Sequence, residues 1–276
     1  MEANNSTLII GLPKSGKTTF LAQLYNRIIN KNCRITLGKT PENIKSILSA
    51  CERLAEGKPT EPTAASENVK LVIPVELDNK SFDLICPDYG GEQVSNVTEF
   101  MEYDNNWQKL TKENDRWILF IRPGELYHHY DLSLKGYTDI DSNRDNTTLE
   151  NQLSHQYLFI ELLQSLLYAR DVGVKSKIDI PKLLIVLTCW DELGTTKKPI
   201  EILIEKLPMF SHFIDTVWKT DSYKIIGLSS QEFPLDTKEA QDKYLDDLPE
   251  SFGYLVDENN THEKDLTKLI EIALNI

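Results

Sequence analysis

The sequence predicts an α/β domain of three layers, in which helices cover both faces of a six-stranded mixed sheet. Short apolar, β-branched runs alternate along the chain with longer stretches of helical periodicity, which is typical of this architecture. Two of the runs are separated only by Asp78, Asn79 and Lys80, a turn short enough to make those two strands an antiparallel hairpin. No Gly/Ser-rich or Pro-rich linker interrupts the 276 residues, so residues 1–276 are predicted to form one domain.

The six predicted strands are short apolar runs, and polar or glycine-containing segments bound them. The first run ends at a glycine-rich turn, and the run at residues 183–187 is apolar throughout, as a strand buried on both faces requires. The predicted strands are residues 7–12, 68–77, 81–87, 116–122, 182–189 and 223–229.

The predicted helices fill the intervals between the strands. The last one is placed by Leu266, Leu269, Ile270 and Ala273, which repeat at helical spacing. The predicted helices are residues 15–29, 94–110, 149–172, 199–218 and 262–273. Three long segments, residues 32–67, 124–148 and 231–260, are predicted to be irregular loops inserted into this core.

Charge and cysteine usage exclude several classes of protein. Asp and Glu number 43 against 30 Lys and Arg, a formal net charge of −13, so nucleic acid and anionic membrane surfaces are not expected partners. The apolar runs are far shorter than the roughly 20 residues of a membrane span. The four cysteines are far apart and typical of reduced thiols, and residues 1–5 carry no basic leader, so we expect a cytoplasmic protein.

The strongest motif is GLPKSGKT at residues 11–18, which has the form GxxxxGK[ST] between a predicted strand and a predicted helix. Its glycines allow backbone N–H groups to surround phosphates, and the helix N-terminus adds a positive dipole end. Lys17 would neutralise β- and γ-phosphate charge, and Thr18 would bind Mg²⁺. The predicted phosphate-binding residues are Gly11, Pro13, Lys14, Ser15, Gly16, Lys17, Thr18 and Thr19. A plain glycine-rich turn is the alternative, but it would bury a lysine without a partner.

A second motif, DYGG at residues 88–91, directly follows the predicted strand 81–87. Asp88 could hold a magnesium-bound water, and Gly91 could offer its amide to a γ-phosphate. A DxxG sequence alone is more often an ordinary turn. Its place one hairpin after the GxxxxGK[ST] motif favours the metal-binding interpretation.

Two further strand ends carry residues suited to a purine base. The strand 182–189 leads into Thr188-Cys189-Trp190-Asp191, and the Asp191 carboxylate could accept two hydrogen bonds from N1–H and the amino group of guanine, which adenine cannot offer. An N-cap aspartate on the next helix is the alternative. Ser229 and Ser230 end the last predicted strand, at an edge where open α/β sheets bind ligands.

These four motifs, in this order, resemble those of P-loop GTPases of the translation-factor and Ras-like class. The segments GLPKSGKTTFLAQLY, DYGGE, LTCWDEL and DLTKLIE are more closely similar to bacterial double-GTPase families of conflict (defence) operons. The resemblance implies a Ras-like fold, GTP or GDP as ligand, Mg²⁺ as cofactor, and a regulatory role with a protein effector or a second GTPase. It also implies that Thr188 and Asp191 contact the base, although Cys189 stands where the class carries a lysine along the base.

The class also requires a switch-I threonine and a group that orients the attacking water. Thr63 is the first candidate for the threonine, with Thr60 and Thr40 as alternatives. At the position of the usual glutamine this chain has Glu92, and Gln93 follows it, so hydrolysis is expected to be slow or to depend on an arginine. A partner could supply that arginine, or Arg122 or Arg144 could supply it in cis.

Two other functions stay open from the sequence. A P-loop ATPase or small-molecule kinase would normally have an all-parallel sheet and an arginine-rich lid. A nucleotide-dependent scaffold with little hydrolysis is favoured by Glu92. For a switch protein, the two segments 32–67 and 88–106 would signal the nucleotide state to a partner. An apolar and aromatic group in and beside the second segment would be part of an effector surface or of the core, namely Phe100, Met101, Tyr103 and Trp107.

Overall fold

A computed structural model describes residues 6–30, 33–61, 70–87, 94, 97–98, 103–128, 153–173 and 175–276. Within these ranges, the strands form one sheet of nine, in the order β2-β3-β4-β1-β5-β6-β7-β8-β9. The strands are β1 Ser6–Gly11, β2 Thr36–Leu37, β3 Leu71–Leu77, β4 Lys80–Cys86, β5 Arg116–Ile121, β6 Lys182–Thr188, β7 Tyr223–Ser229, β8 Tyr254–Val256 and β9 His262–Glu263.

The centre of the sheet is parallel and both of its edges are antiparallel. Strands β4, β1, β5, β6 and β7 are parallel neighbours. Strands β2 and β3 continue the sheet antiparallel on one side, and β8 and β9 do so on the other. Since β1 and its glycine-rich turn lie near the middle, the carboxyl ends of four parallel strands surround the start of the first helix.

Helices lie on both faces of this sheet. They are α1 Lys17–Asn30, α2 Lys45–Ala55, α3 Asn105–Glu113, α4 His155–Ala169, α5 Pro199–Lys206, α6 Pro208–Val217, α7 Lys238–Leu245 and α8 Lys268–Leu274. Alternate strand residues point to opposite faces, as the pleat requires. Leu8 and Ile10 pack with α4 and α6, whereas Ile9 packs with α1 and α8. The predicted three-layer α/β architecture is confirmed.

The prediction of six strands with one antiparallel pair is wrong, because the sheet has nine strands and four antiparallel pairings. The predicted hairpin is correct: β3 and β4 are joined through Asp78 and Asn79, both at positive φ (51° and 61°), which is the backbone of a tight two-residue turn. The three missed strands are two or three residues long, too short to show a period of two.

Two of the segments predicted as irregular insertions contain regular structure. Residues 32–67 include β2 and α2, and residues 231–260 include α7 and β8. Four helices also differ from prediction. The helix predicted at 94–110 is interrupted at Tyr103 and Asp104, and α3 runs from Asn105, capped by the Asp104 carboxylate, to Glu113. The helix predicted at 199–218 is two helices, because Pro208 cannot donate to the preceding turn. The helix predicted from residue 262 begins at Lys268, after β9, and α4 begins at His155, capped by the Ser154 hydroxyl.

A further cluster holds the end of the chain against α1. The Gln23 amide donates a 2.7 Å hydrogen bond to the Tyr244 hydroxyl, and Arg27 Nη2 donates one of 2.5 Å to the carbonyl of Phe252. Tyr244 stacks on Phe252 with ring centroids 4.3 Å apart. Helix α1, which starts at the glycine-rich turn, is therefore packed on residues more than 200 positions away in sequence.

The structure also bears on two expectations, an effector surface at Trp107 and the lack of a membrane span. Trp107 is buried in the core of the α4 face, so it is not available to an effector. In the described ranges, no helix combines the length and the apolar character that crossing a membrane requires.

Candidate functional site

A cavity of about 520 Å³ opens at the carboxyl ends of the central strands. The turn after β1, the segment before residue 62, and the segments after β5, β6 and β7 all contribute to its wall. The lining residues are Pro13, Lys14, Ser15, Gly16, Lys17, Thr18, Thr19, Pro59, Thr60, Glu61, Arg122, Thr188, Cys189, Asp191, Glu192, Ser230, Gln231, Pro234, Leu235 and Asp236. Residues of three of the four predicted motifs, GLPKSGKT, Thr188 to Asp191 and Ser229-Ser230, thus meet in one place, and DYGG lies outside the described residues.

The turn after β1 needs its glycines for reasons of space and backbone conformation. Gly16 has φ +83°, in the left-handed region that only glycine adopts without strain. A Cβ on Gly11 would lie 2.8 Å from the Phe120 carbonyl oxygen, so this glycine lets β1 and β5 approach. Gly11 itself does not line the cavity. Its contribution is to place the turn and the N-terminus of α1 against the open space.

Lys17 is buried, with only 4% of its surface exposed, at the first position of α1. Its ammonium donates to the carbonyl oxygens of Gly11 at 2.7 Å and Leu12 at 3.0 Å, and to the Ser15 hydroxyl at 3.3 Å. The charge is therefore held at the rim of the cavity by the same turn that would surround phosphates. Because the lysine has partners within the turn, the cost that counted against a plain glycine-rich turn does not arise, and phosphate binding stays a prediction.

Thr188 ties the end of β6 to the turn. Its hydroxyl lies 2.9 Å from the carbonyl oxygen of Ser15 and 3.1 Å from that of Ile121. A Cβ on Gly16 would come within 3.4 Å of this side chain. Thr188 lines the cavity, and its hydroxyl binds the main chain of the glycine-rich turn.

Asp191 lies in the 3-10 turn Trp190–Leu193 that follows β6. The buried Trp190 indole packs against Gly227 of β7, where an added Cβ would be only 2.5 Å from Trp190 Cε3. This contact fixes the turn. Helix α5 begins after Lys198, so Asp191 is not the N-cap of the next helix, and that alternative is wrong.

The Asp191 carboxylate is oriented from β7. Burial raises the pKa of Asp191, and a hydrogen bond from the Ser229 side chain partly offsets that shift. The buried Ser229 hydroxyl also accepts a 2.9 Å hydrogen bond from the amide of Glu232. Ser230 lines the cavity, whereas the buried Ser229 is not among the lining residues.

One of the three candidate switch threonines lies at the glycine-rich turn. The Thr60 hydroxyl is 2.7 Å from that of Thr19, and both residues line the cavity. Arg53 on α2 holds this segment, because its Nε donates to the Pro59 carbonyl at 2.7 Å and its Nη1 lies 2.7 Å from Glu61. Thr40 is exposed and is not part of the cavity wall. Thr63 lies outside the described residues.

Several predicted site residues also lie outside the described residues, namely Asp88, Gly91, Glu92, Gln93 and Arg144. Their roles stay predictions. In the ranges that are described, no group of three or more His, Cys, Asp or Glu side chains is arranged to hold a metal ion. Thr18, the predicted magnesium-binding hydroxyl, lines the cavity beside Lys17.

Sequence reasoning missed part of the cavity wall. The residues concerned are Pro59, Glu61, Glu192, Gln231, Pro234, Leu235 and Asp236. Most of them belong to segments predicted as inserted loops and match no local motif. Gly227 was missed as well, although a glycine inside a buried strand is itself a signal of close approach by another group.

Comparisons with known proteins support the motif assignment. A model of the family described as Double-GTPase 1 matches residues 8–273, which confirms the predicted resemblance. A search of curated proteins found no match.

Similar solved structures include the GTP-bound GTPase-like domain of Ski7 from S. cerevisiae, 18% identical, with a TM-score of 0.43 over 82% of this chain and 42% of that one. They also include GppNp-bound Arl6 from Trypanosoma brucei, 14% identical, with a TM-score of 0.40 over 87% and 94%. The chain thus spans about two-fifths of the Ski7 chain.

Proposed function

The chain belongs to the Double-GTPase 1 family, and from that premise we propose that it is a GTP-binding switch protein. In this proposal residues 1–276 act as one GTPase domain that hydrolyses GTP slowly or with the help of a protein partner. The continuous sheet from Ser6 to Glu263 supports the single domain. A role with an effector or a second GTPase in bacterial defence signalling rests on the family alone.

The observation that carries the proposal is the pairing of a P-loop with Asp191 across one cavity. The glycine-rich turn, the N-terminus of α1 and the Lys17 ammonium supply donors and positive charge for phosphates. Asp191 supplies an acceptor-only group to the lining of the same cavity. A carboxylate there can accept hydrogen bonds from both the N1–H and the amino group of guanine. From adenine it can accept only one, from the amino group, because N1 of adenine is itself an acceptor.

The residues at the rim also fit Mg²⁺. Hydroxyl and carboxylate oxygens are the ligands that Mg²⁺ prefers, and Thr18 lies beside Lys17 in the cavity wall. Thr18 and Asp88 would hold the ion, with Thr60 or Thr63 added in the GTP state. Bound Mg²⁺ supplies neutralisation of charge on the β- and γ-phosphates.

Hydrolysis is proposed to be weak in the isolated chain. Lys17 would stabilise negative charge on the phosphates, and Glu92 or Gln93 would orient the attacking water. Because Glu92 stands at the usual glutamine position, slow turnover is expected. If the chain hydrolyses almost no GTP, the same proposal describes a nucleotide-dependent scaffold. The ATPase or kinase alternative is disfavoured by the antiparallel strands at both edges of the sheet.

Competition binding tests the proposal directly. GTP and ATP are titrated against a fluorescent guanine nucleotide on the wild-type chain, on Lys17→Ala and on Asp191→Asn. We expect GTP to displace the probe at lower concentration than ATP, and Lys17→Ala to bind neither. Asp191→Asn should lose about 10- to 100-fold in GTP affinity, since hydrogen bonds to a charged group each contribute about 1.5–3 kcal/mol.

The effect of Asp191→Asn on the affinity for ATP should be small. Equal displacement by ATP and GTP on the wild-type chain would instead favour an ATPase. Single-turnover hydrolysis, with and without a partner, then separates a slow GTPase from a scaffold, and rapid turnover by the isolated chain would contradict partner dependence.

A further inference from the structure

Arg122 lies at the wall of the cavity, directly after β5, in an unusual set of contacts. Its Nε and Nη2 donate to the two carboxylate oxygens of Glu192, at 3.2 Å and 2.7 Å. Its Nη1 lies 2.8 Å from a carboxylate oxygen of Glu125. Three edge nitrogens of the guanidinium are therefore engaged by carboxylates.

These contacts fix the plane of the guanidinium, with the carboxylates at its edges. All five N–H donors of arginine lie in the guanidinium plane, so carboxylates that bind them occupy its edges. A fork of this kind allows little rotation. Arg122 nevertheless retains 27% exposure of its side chain and belongs to the cavity lining.

The two turns that carry Glu125 and Glu192 lie close to each other. Gly124 lies in the 3-10 turn Pro123–Glu125, and a Cβ there would be 3.2 Å from Glu192 Oε2. On the other side, Glu192 is the neighbour of Asp191 in the turn Trp190–Leu193. Asp191, which would hold the edge of a guanine, and Glu192, which orients Arg122, are thus consecutive residues.

The charge balance of the fork argues against a phosphate contact. Two carboxylates, Glu192 and Glu125, surround one guanidinium, so the local group carries a net negative charge. Three of the five edge donors are already taken by carboxylates, so only two could reach a phosphate, whereas an arginine that stacks needs only its face. At position 189, where a longer side chain could cover a base, the chain has a cysteine.

We propose that the guanidinium face of Arg122 stacks on the base of the bound guanine nucleotide and that Glu192 and Glu125 position it for this contact. The inference rests on the proposed function, because it takes Asp191 as the group that holds the edge of the base. Arg122 then contributes affinity for the base and no specificity between purines. Arginine planes stack on nucleobases in other binding sites.

The test compares a ligand that has a base with one that has only phosphates. GDP and inorganic tripolyphosphate are titrated, each with Mg²⁺, onto the wild-type chain, Arg122→Ala, Arg122→Lys and Glu192→Gln. Thermal unfolding verifies that each variant is folded. We expect Arg122→Ala to weaken GDP binding about 5- to 30-fold, the range of a cation–π contact, and to leave tripolyphosphate binding unchanged.

Arg122→Lys keeps the charge but loses the plane, so it should also weaken GDP selectively. It serves as the second variant if Arg122→Ala does not fold. Glu192→Gln, which keeps the size of the side chain, should weaken GDP less than Arg122→Ala and again spare tripolyphosphate. Inosine diphosphate should lose the same factor as GDP in Arg122→Ala, since stacking does not read the amino group of guanine.

Three results would overturn the inference. An equal loss for GDP and tripolyphosphate would place Arg122 on the phosphates. Unchanged GDP affinity with slower GTP hydrolysis would make it a catalytic arginine acting in cis. Unchanged GDP affinity and unchanged hydrolysis would leave it no role in the site. The proposed function fails by a separate result, a wild-type chain that prefers ADP to GDP.

Discussion

The contact between Trp190 and Gly227 makes a strong prediction about a residue that touches no ligand. In Gly227→Ala, the new methyl carbon would lie 2.5 Å from Trp190 Cε3 and 2.6 Å from Cδ2. These atoms belong to a rigid ring that is 2% exposed, so neither group can move aside without displacing the turn that carries Asp191. The substitution should therefore reduce stability and guanine preference together.

The size of the effect follows from the overlap. A carbon–carbon contact normally lies at about 3.5–4.0 Å, so the turn must shift by roughly 1 Å or more. Overpacking of this kind costs about 1–3 kcal/mol. A displacement of that size at Asp191 also separates it from Ser229, and the preference for GDP over ADP should fall about tenfold or more.

The assay is urea unfolding combined with GDP and ADP titrations. Gly173→Ala is the matched control, because no atom of the described residues lies within 4 Å of the added carbon. It should change the free energy of unfolding by less than about 1 kcal/mol and leave the nucleotide preference intact. Trp190→Phe in the Gly227→Ala background should recover part of the loss, since it removes ring atoms from the overlap. If Gly227→Ala behaves like Gly173→Ala in both measurements, the packing argument is wrong.

Three other predictions concern single contacts. Tyr244→Phe removes the acceptor of the buried Gln23 amide and should lower the free energy of unfolding by about 1–3 kcal/mol in urea, and an unchanged midpoint would contradict that hydrogen bond. The preference for GDP over ADP should decline on acidification, because only the charged form of Asp191 accepts both guanine donors. Since burial raises the pKa of Asp191, the decline should occur at a higher pH than for an ordinary aspartate. Asp191→Asn should show no such pH dependence. Arg53→Ala should speed amide hydrogen exchange in the segment around Thr60 with little change in global stability, whereas Arg53→Lys should keep part of the protection.

The sequence was sufficient for the central sheet and for the glycine-rich turn at the cavity. Strands β5 and β6 are apolar at residues 117–121 and 183–187, and GLPKSGKT is a local pattern whose spacing reflects the backbone it needs. The edge strands β2 and β9 are only two residues long, which is too short to show a period in the sequence. They form because they pair with a neighbouring strand.

The contacts that the sequence could not show join residues that are far apart along the chain. Thr19 and Thr60 are 41 positions apart, and Arg122 and Glu192 are 70 apart. Neither pair belongs to a motif that a single sequence can show. The choice of Thr60 over Thr40 as the threonine at the cavity required α2 and Arg53 to be placed in space.

The packing of α1 on residues 244–252 has a consequence for how the protein is made. Arg27 and Phe252 are 225 positions apart, and Gln23 and Tyr244 are 221 apart. At about 5–20 residues per second, a ribosome needs roughly 10–45 s to pass from one end of such a contact to the other. During that time the phosphate-binding helix lacks partners for two buried polar side chains. We therefore expect nascent chains that end before Tyr244 to leave α1 open to protease, and nucleotide binding to begin only once the last third of the domain has been synthesised.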